Sequence, residues 1–183
     1  MKIDHILFSK INSLAGKSNV ADWIVIFGAR YLIVIMVASL LKYVFIYKNK
    51  AERMVNLRVV WNAFLSVGMG LLFNYALSFF IQRSRPFDIG LGENIYGSVI
   101  TSGSFPSEHT TIAFAIGMAV FMVYKKFGTV LLAMAALVGF SRIYVGIHYP
   151  LDVLGGAFVG IIMAYLATKL ITPKIFRLKK SKI

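Results

Sequence analysis

Long apolar runs separated by short polar breaks dominate this chain, and the lengths of those runs carry the first inference. From Val59 to Ile81, 23 residues pass without a charge, enough to cross the roughly 30 Å hydrocarbon core of a bilayer as one helix. A run of similar length, from about Asp22 to Tyr47, carries Arg30 inside it. Three further runs, Thr110–Tyr124, Phe127–Ser141 and Val153–Thr168, hold 15, 15 and 16 residues, short of the roughly 20 that a spanning helix needs. Each must therefore draw in flanking residues, and these include His109, Arg142 and Asp152. Ionisable groups pulled to the membrane boundary are costly, so they point to a buried polar site rather than to a lipid-facing edge. Residues 1–16 differ: Ile3, Ile6, Leu7 and Phe8 are interrupted by Asp4 and Lys10. That pattern is too polar to span, lacks the form of a cleaved signal peptide and predicts an amphipathic helix lying in the interface.

The expected fold is therefore all-α. We expect a polytopic membrane helix bundle of five to six transmembrane helices plus the N-terminal interfacial helix, forming a single domain over residues 1–183. Asn62 and Asn74 are read as bonding to neighbouring helices, and Gly155, Gly156 and Gly160 as close helix packing. His5 is read as a polar group reaching for the interface.

Composition narrows the class. Hydrophobic residues make up 58% of the 183 and charged residues 15%, against about 45–50% and about 25% in soluble domains. Disorder is excluded, and the absence of Cys excludes a disulfide framework and any Cys-ligated metal site. The net charge of +13 suggests nucleic acid, but the cations sit between apolar runs instead of being interleaved with aromatics on a soluble face. They read as topogenic. With five spans, 13 of the 20 Lys and Arg fall on the side holding Lys48, Lys50, Lys125, Lys126 and the basic tail 173–183, which the positive-inside rule places in the cytoplasm. The tail then pairs with acidic headgroups, and the long polar stretch Gln82–His109 faces outward.

Every cluster that looks chemical falls on that outer side: Arg83-Ser84-Arg85-Pro86, Pro106-Ser107-Glu108-His109, and Ser141-Arg142 followed by His148-Tyr149-Pro150-Leu151-Asp152. Arg85 and Arg142 are fixed cations with forked donors, suited to a phosphoryl group. Pro106 suits the first turn of the third span, which would aim Ser107 and free backbone N–H groups outward as an anion site. Pro150 suits the first helical position of the last span and puts Asp152 near the third. From there its carboxylate would reach back to His148 and hold one ring nitrogen, leaving the other free to attack. His109 is then available as a proton donor. Together these groups make a site for phosphoryl transfer through a phosphohistidine.

At these residues the chain resembles the type 2 phosphatidic acid phosphatase superfamily of integral-membrane lipid phosphatases, whose pattern is K-x6-R-P, P-S-G-H and S-R-x5-H-x3-D. The third motif is complete from Ser141 to Asp152. The second has Glu108 where Gly is usual, and the first keeps Arg85-Pro86 with Ser78 in place of Lys. These departures, with the stretch GFSRIYVGIHYPLDVLGG, resemble the bacitracin-resistance-type undecaprenyl-diphosphate phosphatases. The resemblance implies removal of the terminal phosphate of undecaprenyl diphosphate at the outer face of a bacterial plasma membrane. It implies His148 as nucleophile, Asp152 as its partner, His109 as general acid, Arg85, Ser107 and Arg142 as phosphate ligands, and no metal or other cofactor. The expected partners are an isoprenoid or phospholipid (di)phosphate and membrane lipids. Arg83 is the nearest cation to supply the charge of the missing Lys. Glu108 has two readings, a group favouring a diphosphate or a first-turn acid stabilising its helix. A broader lipid phosphatase acting on phosphatidylglycerophosphate, phosphatidate or lipid A is the neighbouring reading. A small anion transporter is the more distant one, and it lacks the internal repeats and midplane polar groups usual for that class.

Overall fold

The computed structural model describes residues 2–97 and 103–171; the basic tail expected at 173–183 lies outside the described residues. Seven α-helices follow one another without a strand among the described residues: α1 (Lys2–Asn12), α2 (Asn19–Ser39), α3 (Leu41–Phe45), α4 (Lys50–Phe80), α5 (Glu108–Phe121), α6 (Lys125–Tyr144) and α7 (Pro150–Leu166). α2 and α3 form one span over Asn19–Phe45, and this span, α4, α6 and Pro150–Leu170 are long and apolar enough to cross a membrane. Large apolar side chains such as Trp23, Leu72, Phe80 and Phe158 point outward, an arrangement stable only where lipid covers it.

α4 runs 31 residues and begins nine positions before the apolar stretch at Val59. Asn49 caps it by accepting the Glu52 N–H at 2.9 Å, and Glu52 sits in the first turn, where the helix dipole favours an acid. The charges that delimit the apolar run thus ride on helix that extends past the hydrocarbon. At 1.5 Å per residue the helix is about 46 Å long, against a core of roughly 30 Å.

α5 is an apolar helix of 14 residues, shorter than the four spans, and it is central, packed by α2, α4, α6 and α7. Ala113, Ala115, Ile116, Ala119 and Val120 on it are buried. Its neighbours can approach because they present glycine. A Cβ on Gly160 of α7 would stand 2.5 Å from the Thr111 carbonyl oxygen, and one on Gly156 would stand 2.5 Å from that of Ser107. α5 starts at Glu108 with Ser107 as N-cap, so Pro106 lies outside the helix rather than in its first turn. The cause is a tertiary bond: the Ser107 N–H donates to the Asp152 carbonyl at 3.0 Å, which fixes Ser107 as the point of entry.

The N-terminal helix α1 is clipped to the bundle at both ends. Asn12 donates to the carbonyls of Glu93 and Tyr144, each at 2.9 Å, and accepts the Glu93 N–H at 2.8 Å. Asp4 accepts the Leu151 N–H at 2.9 Å.

The glycine contacts give a test of this packing. Gly160→Ala should cost about 1–3 kcal/mol, the usual range for overpacking, and lower the thermal midpoint in detergent. Gly68→Ala, where a Cβ meets nothing within 4 Å, should leave it unchanged or raise it, as helix propensity dictates. Equal midpoints for wild type and Gly160→Ala would show that the α5–α7 contact is looser than described.

Candidate active site

The polar clusters meet at one end of the bundle. Arg83 and Arg85 follow α4, Ser107, Glu108 and His109 open α5, Arg142 lies in the last turn of α6, His148 sits in the α6–α7 turn, and Asp152 is in the first turn of α7. Pro150 occupies the start of α7 and Asp152 its third position, where the carboxylate accepts the Tyr149 N–H at 2.8 Å.

His148 is 3% exposed. Its Nδ1 lies 2.8 Å from the Ser104 carbonyl oxygen and its Nε2 lies 3.2 Å from Nη1 of Arg85. A carbonyl oxygen only accepts, so Nδ1 carries the hydrogen and Nε2 the lone pair. Burial pushes the imidazole down to about 4, with Arg85 and Arg142 adding to that effect and Asp152 opposing it. The ring is therefore neutral at ordinary pH, with a free nucleophilic nitrogen beside two guanidinium groups.

Asp152 does not hold His148 directly. Its Oδ2 is 3.7 Å from His148 Nδ1, beyond hydrogen-bond range. Both oxygens are taken: Ser104 Oγ donates to Oδ2 at 2.5 Å, alongside the Tyr149 N–H, and Arg83 Nη1 donates to Oδ1 at 2.6 Å. Ser104 is thus the link, with its hydroxyl on Asp152 and its carbonyl on His148.

Arg85 donates from Nη1 to the Ile147 carbonyl and from Nη2 to the Gly103 carbonyl, each at 3.1 Å. Arg142, 1% exposed, donates from Nη1 to the Ala29 carbonyl at 3.2 Å, and its guanidinium carbon lies 4.8 Å from the centroid of the Tyr96 ring. Its Nε is buried without a partner. A buried, charged donor left unmet is costly, and an anion is the group that would meet it. Ser107 is fully buried, its Oγ accepting from Thr110 Oγ1 at 3.0 Å. His109 is partly buried and within electrostatic reach of Arg142, His148 and Arg85. Glu108 is exposed in the first turn of α5, so its position suits the helix-stabilising reading.

Two expectations change. Arg83 forks onto Asp4 and Asp152 and lies over the Tyr149 ring with its carbon 3.9 Å from the centroid. Two buried carboxylates claim both arms that the phosphate would have needed. His5, expected to reach for the interface, stacks on Tyr149 at 5.1 Å with 12° between planes. Sequence reasoning also missed Ser104, Asp4 and Tyr96. Ser104 acts in part through a backbone carbonyl, which no side-chain pattern reports. Asp4 is 79 positions from Arg83, and its only signal is its rarity among seven acidic residues. Arg30 donates to the Tyr96 carbonyl at 2.9 Å and lies over the same ring as Arg142, tying the outer loop to α2. Among the described residues, no group of three or more His, Asp or Glu is arranged to hold a metal ion.

Residues 59–176 match the PAP2 superfamily, a stretch that contains Arg85, His109, Arg142, His148 and Asp152. The chain belongs to that superfamily. It is 35% identical over 87% of its length, and 80% of the relative's, to the undecaprenyl-diphosphatase BcrC of Bacillus subtilis. It is 32% identical over 86% of its length, and 75% of the relative's, to the bacitracin transport permease protein BcrC of Bacillus licheniformis. Among solved structures, LpxE of Aquifex aeolicus superposes with a TM-score of 0.67 at 27% identity, covering 89% of this chain and 93% of that one. With its apolar spans, the PAP2 chain is an integral membrane protein and a lipid phosphatase of the PAP2 type.

The electrostatics of the site can be checked without substrate. In nitrogen-labelled protein, His148 should titrate with a midpoint near 4, well below the ordinary 6.5. Arg85→Gln should raise that midpoint while leaving it below 6.5, because burial, the larger cause, remains. A wild-type midpoint near 6.5 would mean that the ring is solvated and the pocket open.

Proposed function

We propose that this PAP2 protein hydrolyses undecaprenyl diphosphate to undecaprenyl phosphate and inorganic phosphate through a phosphohistidine on His148, as one catalytic unit spanning residues 1–183. The observation that carries the proposal is the Nε2 of a buried histidine 3.2 Å from Arg85 Nη1, with a second buried arginine, Arg142, within electrostatic reach and its Nε unmet. Nε2 attacks the terminal phosphorus, the bridging P–O bond breaks, and undecaprenyl phosphate leaves with a proton supplied by His109, which binds that proton only once the anionic diphosphate offsets the neighbouring arginines. Water then attacks the phosphorus while His109 takes its proton, the N–P bond breaks, and free phosphate leaves a neutral His148. Arg85, Arg142 and Ser107 hold the phosphoryl oxygens as charge shifts between them. Asp152 keeps the ring in its reactive tautomer through Ser104.

The distribution of cations supports an orientation. Lys42, Lys48, Lys50, Arg53, Lys125 and Lys126 lie at the opposite end from the site, which by the positive-inside rule supports reading that end as cytoplasmic and the chemistry as lying on the outer face of a bacterial plasma membrane. The C-terminus then lies inside. Removing the diphosphate lipid there would recycle the carrier for cell-wall synthesis and confer resistance to bacitracin, in keeping with the names of its relatives.

Detergent-purified protein should release phosphate from undecaprenyl diphosphate in excess EDTA, and His148→Ala should abolish the release. Quenched at high pH during turnover, the wild type should retain a phosphoryl group that acid removes, the stability expected of a phosphoramidate. Activity lost to EDTA would break the mechanism. Turnover of phosphatidylglycerophosphate, phosphatidate or lipid A in place of the diphosphate would move the substrate to the broader class.

A further inference from the structure

The interfacial helix α1 buries two polar side chains, Asp4 and Asn12. Asn12 is accounted for by its three bonds to backbone groups. Asp4 is not, because a helix that only needs to lie on a bundle has no use for a buried carboxylate, which is costly unless paired. Its pair is Arg83, and the other arm of the same guanidinium holds Asp152. The Asp4 carboxylate also accepts the N–H of Leu151, the residue before Asp152. Arg83 rests on the Tyr149 ring, and α1 meets that ring as well, through His5 and through Phe8 at 5.5 Å. Asp4 directly, and His5 and Phe8 through the shared Tyr149 ring, therefore set where the guanidinium stands.

The guanidinium in turn decides what Asp152 can do. With Arg83 on Oδ1 and Ser104 and Tyr149 on Oδ2, the carboxylate is held 3.7 Å from His148, and Nδ1 is left to the Ser104 carbonyl. Without Arg83 the carboxylate keeps only its two bonds on Oδ2, and Oδ1 is released to turn toward the ring. We propose that Asp4 is a positioning residue of the active site: through Arg83 it fixes Asp152 and the orientation of His148, so the interfacial helix belongs to the catalytic apparatus and is not an anchor alone. This rests on His148 being the nucleophile. It also opposes the alternative in which Arg83 supplies the charge of the missing motif lysine by binding phosphate.

The test uses the full chain in detergent, with Asp4→Asn, Arg83→Gln and the double variant. Phosphate release from undecaprenyl diphosphate should fall about ten- to a hundredfold in kcat for each single change, the range seen when groups orienting a catalytic ligand are removed. KM should barely move, and the double variant should be no worse than the worse single one, because the residues act in series. The His148 midpoint, read without substrate, should rise in both single variants as Asp152 becomes available to the ring while staying below 6.5; a pocket merely opened by lost packing would carry it to the ordinary 6.5. Should Asp4→Asn not fold, Arg83→Lys reads the same link, since a single ammonium lacks the fork that serves two carboxylates; it should lower kcat and raise the midpoint in the same way. Wild-type kcat and midpoint in Asp4→Asn would overturn the proposal, as would a raised KM with an unmoved midpoint in Arg83→Gln. If wild type releases no phosphate from the lipid, the substrate reading fails and the midpoints alone decide the role of Asp4.

Discussion

Burying Arg85 and Arg142 beside a neutral histidine is the constraint on which the polar end of this molecule depends. A guanidinium taken from water is unfavourable unless its donors are met. The chain meets them largely with backbone carbonyls: Ile147 and Gly103 for Arg85, and Ala29 for Arg142. Carbonyls solvate a cation without cancelling it, so positive potential is kept for an incoming anion. A carboxylate in the same place would compete with phosphate. The carboxylate buried closest, Asp152, is turned to Arg83 and Ser104, which keeps most of its charge from the two arginines that face His148.

Because the acceptors belong to turns and to a neighbouring helix, the site inherits its precision from the packing below it. The Ser107 N–H reaches the Asp152 carbonyl at 3.0 Å, and Thr111 Oγ1 bonds both the Ser107 and the Gly156 carbonyls at 3.1 Å. Those bonds need α5 and α7 in backbone contact, and glycine at 156 and 160 permits it. Ser107, His109, His148 and Asp152 stand together because two helix starts are pressed against each other. The short α5 survives at 14 residues since it is encased by other helices and need not match the bilayer alone.

The bundle and the chief polar residues were legible in the sequence because both leave a one-dimensional trace. Uncharged runs give spans, and runs too short to span point at His109, Arg142 and Asp152. Pro150 announces the start of α7 because proline has no N–H to lose at that position. Pro106 misled, since the same residue type also suits the extended segment before an N-cap, and only the Ser107–Asp152 bond decides between the two. The start of α4 was missed because Glu52, Arg53 and Arg58 break the hydropathy pattern without breaking the helix. The contacts that escaped are those with no sequence period. Asp4 meets Arg83 across 79 positions, and Ser104 supports His148 through a carbonyl that every residue possesses. Direct contact between Asp152 and His148 was expected from the place of Asp152 near the third position of α7. It fails because the third position of a helix turns the carboxylate to the N-cap amide, and Arg83 and Ser104 then complete its shell.

The relative that carries a permease name raises the question of whether such a bundle could move a solute. Beneath the arginines the helices close on Met36, Leu40, Val59, Ile116, Val120 and Leu131, all buried and apolar. The polar groups there, such as Asn74 bonded to Thr111 at 2.8 Å, join helix to helix instead of lining a path. A transporter needs a site reachable from both faces, usually near the midplane and built on interrupted helices. Here the site arginines, Arg85 and Arg142, lie at one boundary, above a packed core and ringed by helices whose outer faces are apolar. That geometry suits a molecule whose charged head reaches the boundary while its tail stays in the bilayer. The head can be cut there without any part of the substrate crossing the protein.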